Sequence, residues 1–160
     1  MYTKRIPAKL YRRIQRILPI ACVDVLVKTK SGEVLLGIRK NEVLKGYVFP
    51  IGGRIHYGES LEDAVRRKVR VEAGLRVRVV KQIGVYTTLY TKGERRYNVV
   101  IAYLAKETGG KAHLPKGSDL SGFVRVKRIE KNMHPYLRQI LSDSSVFGKR
   151  IKARRKSFVN

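Results

Sequence analysis

The apolar positions of this 160-residue chain change period several times, and each change marks an element. Residues 20–28 (IACVDVLVK) are apolar at almost every position, which suits a strand buried on both faces. Lys30-Ser31-Gly32-Glu33 reverses the chain, and Val34 to Ile38 return as a second strand. Val48-Phe49-Pro50 is a further short apolar block. From Leu61 to Gly74 the period becomes helical. Leu61, Ala64 and Val65 form an apolar stripe, leaving Arg67, Lys68, Val71 and Glu72 on the other face. Ser60 stands where a hydroxyl can take an unpaired backbone N–H, and Asp63 completes a capping box. Gly74 stands where a left-handed C-cap belongs.

Beyond this helix Arg76-Val77-Arg78-Val79 alternates, giving a strand with one basic and one apolar face. Val85 to Tyr90 continues it, Lys92-Gly93-Glu94 turns, and Tyr97 to Leu104 is a strong apolar strand. Gly109 to Ser118 reads as a polar loop, Phe123 to Val126 as a short strand and Pro135 to Leu141 as a closing helix. Near the start, Pro7 opens a helix that Leu10, Ile14, Ile17 and Leu18 would line on one side. The order predicts an α/β fold: a basic helix over 1–19, one folded domain over 20–145 and a basic tail over 146–160.

The apolar fraction of 43% supports a real core. No apolar run has the length of a membrane span and no signal-peptide block is present, so a cytoplasmic protein is expected. Cys22 is the single cysteine and reads as a small buried residue in a reducing compartment. Charge changes the picture most. Thirty-six Lys and Arg stand against 12 Asp and Glu, a net charge of +24. A surface that repels itself this strongly implies a polyanionic partner. The basic residues Lys4, Arg5, Lys9, Arg12, Arg13 and Arg16 at one end face no acid there, nor do Lys149, Arg150, Lys152, Arg154, Arg155 and Lys156 at the other. The stretch 21–145 still keeps a net +12. With Arg76 and Arg78, these residues are the expected RNA contacts. Tyr2, Tyr11, Tyr86, Tyr90 and Tyr97 are candidates to stack on bases.

The stretch GRIHYGESLEDAVRRKVRVEAGL, Gly53 to Leu75, resembles the Nudix box, G-x5-E-x7-R-E-U-x-E-E-x-G-U with U aliphatic. Gly53, Glu59, Arg67, Val69, Glu72, Gly74 and Leu75 match, whereas Lys68 and Val71 replace two of the family's glutamates. The resemblance implies an α/β/α sandwich with a mixed sheet. It also implies hydrolysis of nucleoside diphosphate derivatives with magnesium held by the box carboxylates, of which Glu72 remains. It implies that Glu59 pairs with Arg67. The chain is also similar, over roughly residues 18–127, to the GDP-mannose mannosyl hydrolases, which lack the same two glutamates and remain active. Asp24, Arg39 in GEVLLGIRK, the run Gly46-Tyr47-Val48-Phe49-Pro50 and Arg54 carry that similarity. It implies sugar and diphosphate contacts for Asp24, Arg39 and Arg54. Those enzymes use a loop histidine as base. The corresponding loop, Leu114 to Gly122, has none; Asp119 is the candidate there, with His113 just upstream. His56 reads as structural, and His134 as the start of the closing helix.

Lys68 can pair with Glu72 one turn away, and its charge opposes a divalent cation. The sequence therefore points first to a non-catalytic or weakly catalytic RNA-binding, ribosome-associated protein with no cofactor and ribosomal RNA as partner. The alternative is a magnesium-dependent hydrolase of a GDP-sugar or another nucleoside diphosphate derivative. Membrane binding is not expected, because the apolar residues of the first helix are better explained by docking on the domain.

Overall fold

The computed structural model describes residues 6–40, 44–91, 96–148 and 157–159. Its elements run α1 (Ala8–Ile17), β1 (Ile20–Lys28), β2 (Val34–Arg39), β3 (Val48–Phe49), β4 (Ile51–Arg54) and α2 (Leu61–Ala73). Then come β5 (Leu75–Tyr90), β6 (Arg96–Gly110), β7 (Leu120–Val126), α3 (Pro135–Ser144) and β8 (Ser157–Val159). The expected turn at Lys92-Gly93-Glu94 lies outside the described residues.

β1 is central, and its near-continuous apolar sequence follows from burial on both faces. Val23, Val25 and Val27 turn to one side, where Ala64, Val65, Val69 and Ala73 of α2 cover them. Ile20, Cys22 and Leu26 turn to the other, against Tyr136, Leu137, Ile140 and Leu141 of α3. The result is a mixed sheet between helices, the expected α/β/α arrangement. β6 runs parallel to β1 along its whole length, from Ile20 beside Asn98 to Lys28 beside Lys106.

The other edge of β1 is shared, and this sharing makes the site. β2 pairs there only through Val27 and Lys28. β4 takes the rest, with Cys22, Val23, Asp24 and Val25 opposite Arg54, Gly53, Gly52 and Ile51. Meanwhile β2 continues outward, pairing with β3 through Gly37 and Ile38 and with β7 along its length. The sheet therefore forks. Pro50 sits at the corner where the chain passes from β3 to β4, a position without a ladder bond to lose.

Two strands are longer than the alternating pattern implied. β5 absorbs three register shifts against β6, at Arg76/Val77, Val79/Lys81 and Gln82/Gly84, which interrupt the apolar alternation midway. β6 runs on to Gly110, so the loop expected from Gly109 begins two residues later. The closing helix likewise extends to Ser144.

α1 docks through a face turned from the one expected, sharing only Ile14 with it. Leu10, Ile17 and Leu18 are 50%, 67% and 57% exposed, whereas Gln15 is buried and Tyr11 and Ile14 pack on the core. An apolar count favours the leucine and isoleucine stripe. Tyr11 has an aromatic body with a polar tip that suits a polar cleft wall, and this draws the helix round.

The tail also contains an apolar plug within its basic sequence. Val146 and Phe158 are buried, and β8 pairs in parallel with β5 through Thr87, Thr88 and Leu89. The Phe158 ring stands edge-on to Tyr136 at 5.4 Å between centroids. The open edge of β5 and the α3-side core are what hold this segment. Lys149, Arg150, Lys152, Arg154, Arg155 and Lys156 lie outside the described residues.

Phe158→Ala should lower unfolding free energy by about 3 kcal/mol, a typical cost of deleting a buried ring. The amides of Thr87, Thr88 and Leu89 should lose hydrogen-exchange protection together. Unchanged protection there, with an unchanged denaturant midpoint, would mean that β8 does not hold the edge.

Candidate functional site

The approach to α2 is fixed by capping and one ion pair. Ser60 Oγ accepts the Asp63 N–H at 3.1 Å, as expected of an N-cap. Asp63 departs from a standard capping box: its carboxylate accepts from the Ser60 hydroxyl at 2.7 Å. Arg67 forks onto Glu59, Nε to Oε1 at 2.6 Å and Nη2 to Oε2 at 2.8 Å, and also donates to the Arg54 carbonyl. Glu59 Oε2 accepts the His56 N–H as well. The arginine holds the Glu59 carboxyl below its usual range. His56 is therefore part of the loop's scaffold, and burial with neighbouring Arg67 lowers its ring pKa. Gly74 ends α2 at φ +69, and a side chain there would run into the His113 ring. His113 accordingly closes the helix end, its N–H donating to the Ala73 carbonyl, rather than facing the cleft.

The fork of the sheet opens a cleft of about 420 Å³. Arg39, Arg54, Asp24, Lys68, Glu72 and Asp119 all line it. The sequence-predicted phosphate and sugar residues are thus brought together from β1, β2 and β4. Arg54 lies over the Tyr11 ring at 4.7 Å and Arg39 over Phe49 at 5.5 Å, so aromatic faces set both guanidinium planes. Asp24 neither faces open solvent nor simply pairs with Arg39. Its Oδ2 accepts the Tyr136 hydroxyl at 2.7 Å, a partner from α3 that sequence reasoning missed. Burial raises the Asp24 carboxyl to about 6, against the lowering influence of Tyr136, Arg39 and Lys68. The same burial, together with Asp24, pushes the Cys22 thiol up to about 12, so it stays protonated.

The box helix meets this cleft through Lys68 and Glu72. Glu72 is 4% exposed. Its Oε1 accepts Lys68 Nζ at 2.6 Å; its Oε2 accepts Ser118 Oγ at 2.8 Å and the Asp119 N–H at 3.0 Å. Burial pushes the Glu72 carboxyl up, but Lys68 and these hydrogen bonds outweigh it and leave it below the usual range. Ser118 was also missed; its signal was the Gly117-Ser118-Asp119 turn in a polar loop. Val71 is 47% exposed and does not line the cleft, so of positions 68, 71 and 72 only Lys68 and Glu72 reach it. Asp119 is exposed at the mouth, tied by its backbone to Glu72.

These residues do not fit the magnesium implied by the box. Magnesium needs several hard oxygen ligands, and both Glu72 oxygens are already engaged. An ammonium about 4 Å from a divalent ion would cost roughly 8 kcal/mol at an effective dielectric of about 20. Among the described residues no three His, Cys, Asp or Glu are grouped to hold a metal.

Among the described residues the candidate RNA contacts on α1 and on β5 are not brought together. Lys9, Arg12, Arg13 and Arg16 are exposed on α1, and Arg76 and Arg78 on β5. α1 packs near the start of β6, whereas Arg76 pairs with Gly109 near its end. At about 3.3 Å per residue these sets lie on the order of 40 Å apart. Lys4 and Arg5 fall outside the described residues, as does Tyr2. Tyr86 and Tyr90 are core side chains and Tyr11 lies beneath Arg54, so of the tyrosines proposed for stacking only Tyr97 is largely exposed among the described residues. Among the described residues no helix is long and apolar enough to cross a membrane.

A NUDIX domain profile matches residues 18–143. A low-salt glycan biosynthesis protein, Agl8, of Haloferax volcanii is 34% identical over 88 residues, 55% of this chain and 56% of that protein. The chain thus spans little more than half the length of that relative. An ADP-ribose pyrophosphatase of Methanocaldococcus jannaschii is 32% identical over 120 residues, 74% of this chain and 69% of that protein. Among solved structures, a MutT NUDIX hydrolase of Burkholderia pseudomallei superposes with a TM-score of 0.67 at 19% identity, covering 79% of this chain and 98% of that one.

Asp24 yields a signed prediction. Its folded pKa, about 6, lies above the ordinary 3.8, so the folded chain holds this proton more tightly than the unfolded chain. The penalty for ionising it is absent below about pH 4 and complete above about pH 6. Asp24→Asn should therefore stabilise the protein at pH 7.5 by up to about 3 kcal/mol, the gain fading as pH falls from 6 towards 4. Denaturant melts of both chains across that range check it; a pH-independent difference would contradict it.

Proposed function

The chain belongs to the NUDIX family, and from that premise we propose that it hydrolyses a nucleoside diphosphate derivative, with a nucleoside diphosphate sugar as the substrate class. One observation carries this reading: Arg39, Arg54 and Lys68 converge with the buried carboxylate of Asp24 on a single cleft of about 420 Å³. Fixed cations in a partly enclosed cleft suit a diphosphate, and they stabilise the charge that gathers on its oxygens as a bond breaks. Asp24, ionised at neutral pH but with a raised pKa, is matched to accept a proton from an attacking water. In the proposed step the water oxygen bonds to the electrophilic centre and its proton passes to Asp24. The bond to the leaving phosphate breaks with its electron pair on a phosphate oxygen, facing Arg39 and Arg54. The name of the Methanocaldococcus relative, an ADP-ribose pyrophosphatase, supports the same substrate class.

Magnesium, which hydrolases of this family generally use, enters no step here, because the Lys68–Glu72 pair does not offer it a site.

The test is product formation from a panel of ADP-ribose, ADP-glucose and GDP-mannose, followed by chromatography with and without magnesium. Turnover is expected, with an acid limb near pH 6. Arg39→Ala and Arg54→Ala should each lower kcat/KM by about a hundredfold, a typical cost of removing one charge-stabilising donor. No product from any substrate under either condition would overturn the reading.

A second reading keeps RNA, with ribosomal RNA foremost, as a partner. The observation that favours it is the row of exposed cations on α1, Lys9, Arg12, Arg13 and Arg16, on a chain of net charge +24. Arg12→Glu with Arg13→Glu should flatten the plot of log affinity against log salt, by about 0.7 for each phosphate of single-stranded RNA that is no longer neutralised. Absence of RNA binding at physiological salt, or an unchanged slope, would remove this reading.

A further inference from the structure

The fate of Lys68 goes beyond the family fold. Its side chain is only 11% exposed, although it carries a charge. It starts on the α2 side of the sheet and passes β4 at Gly53. A side chain at Gly53 would place its Cβ 2.8 Å from Lys68 Cε and 3.0 Å from Nζ. Gly53 is therefore the gap past which the ammonium enters the cleft. There it acts electrostatically on Cys22 and Asp24, which lie on the α3 face of β1.

An ammonium has three N–H donors. One goes to Glu72 Oε1 at 2.6 Å. Among the described residues the other two have no protein acceptor. Glu72 is itself divided, since Ser118 and Asp119 hold its second oxygen. A partly neutralised cation, fixed in place with donors to spare, thus stands in a cleft that Arg39 and Arg54 also line.

We propose that Lys68 is the resident cation of this cleft: its ammonium binds the diphosphate directly, in the role a divalent ion would otherwise fill, so that nucleotide binding needs no metal. Glu72 is the anion that Lys68 holds in the empty cleft, and the phosphate oxygens compete with it for the ammonium. The ligand class is a nucleoside diphosphate in its metal-free form. Metal-bound nucleotide is the poorer ligand, because its charge is already neutralised and the ion meets Lys68. This inference rests on the diphosphate-binding reading of the cleft.

Calorimetry with ADP and GDP as probes, in excess EDTA and in millimolar magnesium, tests it on the full chain. Expected are binding in EDTA at least as tight as in magnesium, about tenfold or greater weakening in Lys68→Met, and no change in the surface control Lys131→Met. Glu72→Gln, which removes the competing carboxylate but keeps an oxygen for Ser118 and Asp119, should bind ADP more tightly. Binding only with magnesium would overturn the inference and leave the hydrolase reading standing. Binding under neither condition would overturn both. Undiminished affinity in folded Lys68→Met, or lost affinity in Glu72→Gln, would likewise overturn the inference. Should Lys68→Met fail to fold, side-chain ammonium NMR decides. The lysine signal missing from Lys68→Arg must shift when ADP is added to wild-type protein in EDTA, and a signal that does not move overturns the proposal.

Discussion

The Glu72 carboxylate, buried at the end of α2, is the point on which the site depends. A buried carboxylate is stable only if its oxygens are engaged, and here every partner comes from a piece of the site. Lys68 comes from one turn earlier on the same helix, at 2.6 Å. Ser118 Oγ and the Asp119 N–H come from the loop after β6. The carboxylate thereby pulls that loop over the helix end, where the His113 N–H also caps the Ala73 carbonyl. It places Asp119 at the mouth of the cleft and fixes the direction of the Lys68 ammonium. Loop, helix and cleft wall are one electrostatic unit, and loss of the charge at Glu72 would act on all three at once.

The sheet supplies the space that this unit closes. Had β2 paired with β1 along its full length, the edge would be sealed and Cys22 and Asp24 would face a neighbouring strand's side chains. Pairing stops instead at Val27 and Lys28, and β4 takes the lower half of the edge with two glycines opposite Val23 and Asp24. A polar residue in an apolar strand is thereby tolerated. Asp24 keeps its charge because Tyr136 reaches it from α3 and because Arg39 and Lys68 are near. On the other side, the Glu59–Arg67 fork binds the β4–α2 loop to the helix and also holds the Arg54 carbonyl. The position of the Arg54 guanidinium over Tyr11 is thus linked to the box ion pair through its own backbone.

Much of this was legible in the sequence, for local reasons. The strands β1 and β2, the capped helix α2 and its left-handed glycine follow from periodicity and from residues that act on their immediate neighbours. The Glu59–Arg67 pair followed from the spacing of the resemblance. What escaped was set by contacts distant along the chain. Tyr136 meets Asp24 across 112 positions, and Ser118 meets Glu72 across 46. No period announces such pairs. α1 misled for a related reason: of its apolar stripe only Ile14 docks, beside Tyr11 and Gln15, because the surface it meets joins the core to the wall of the cleft. The basic tail concealed Phe158, whose burial depends on a cavity formed by α3 and β5. Nor could spacing alone settle Val71. A position one turn from Lys68 can lie on the same helix face and still stop short of the cleft.

The charge on the chain follows the same division between local and collective effects. Surface arginines such as Arg76 and Arg78 act through a field that salt screens within about 8–10 Å. Arg39, Arg54 and Lys68 act inside a cleft where water is partly excluded, so each is worth more per charge and less sensitive to salt. Under the proposed reading, a cleft lined by these cations and one raised carboxylate suits a ligand with two adjacent phosphates. A ligand carrying its own divalent ion brings the wrong sign to Lys68. The replacement of a box glutamate by lysine therefore does more than subtract a metal ligand. It changes the sign of the charge at that position in the cleft and, under the proposed reading, the form of nucleotide that fits changes with it.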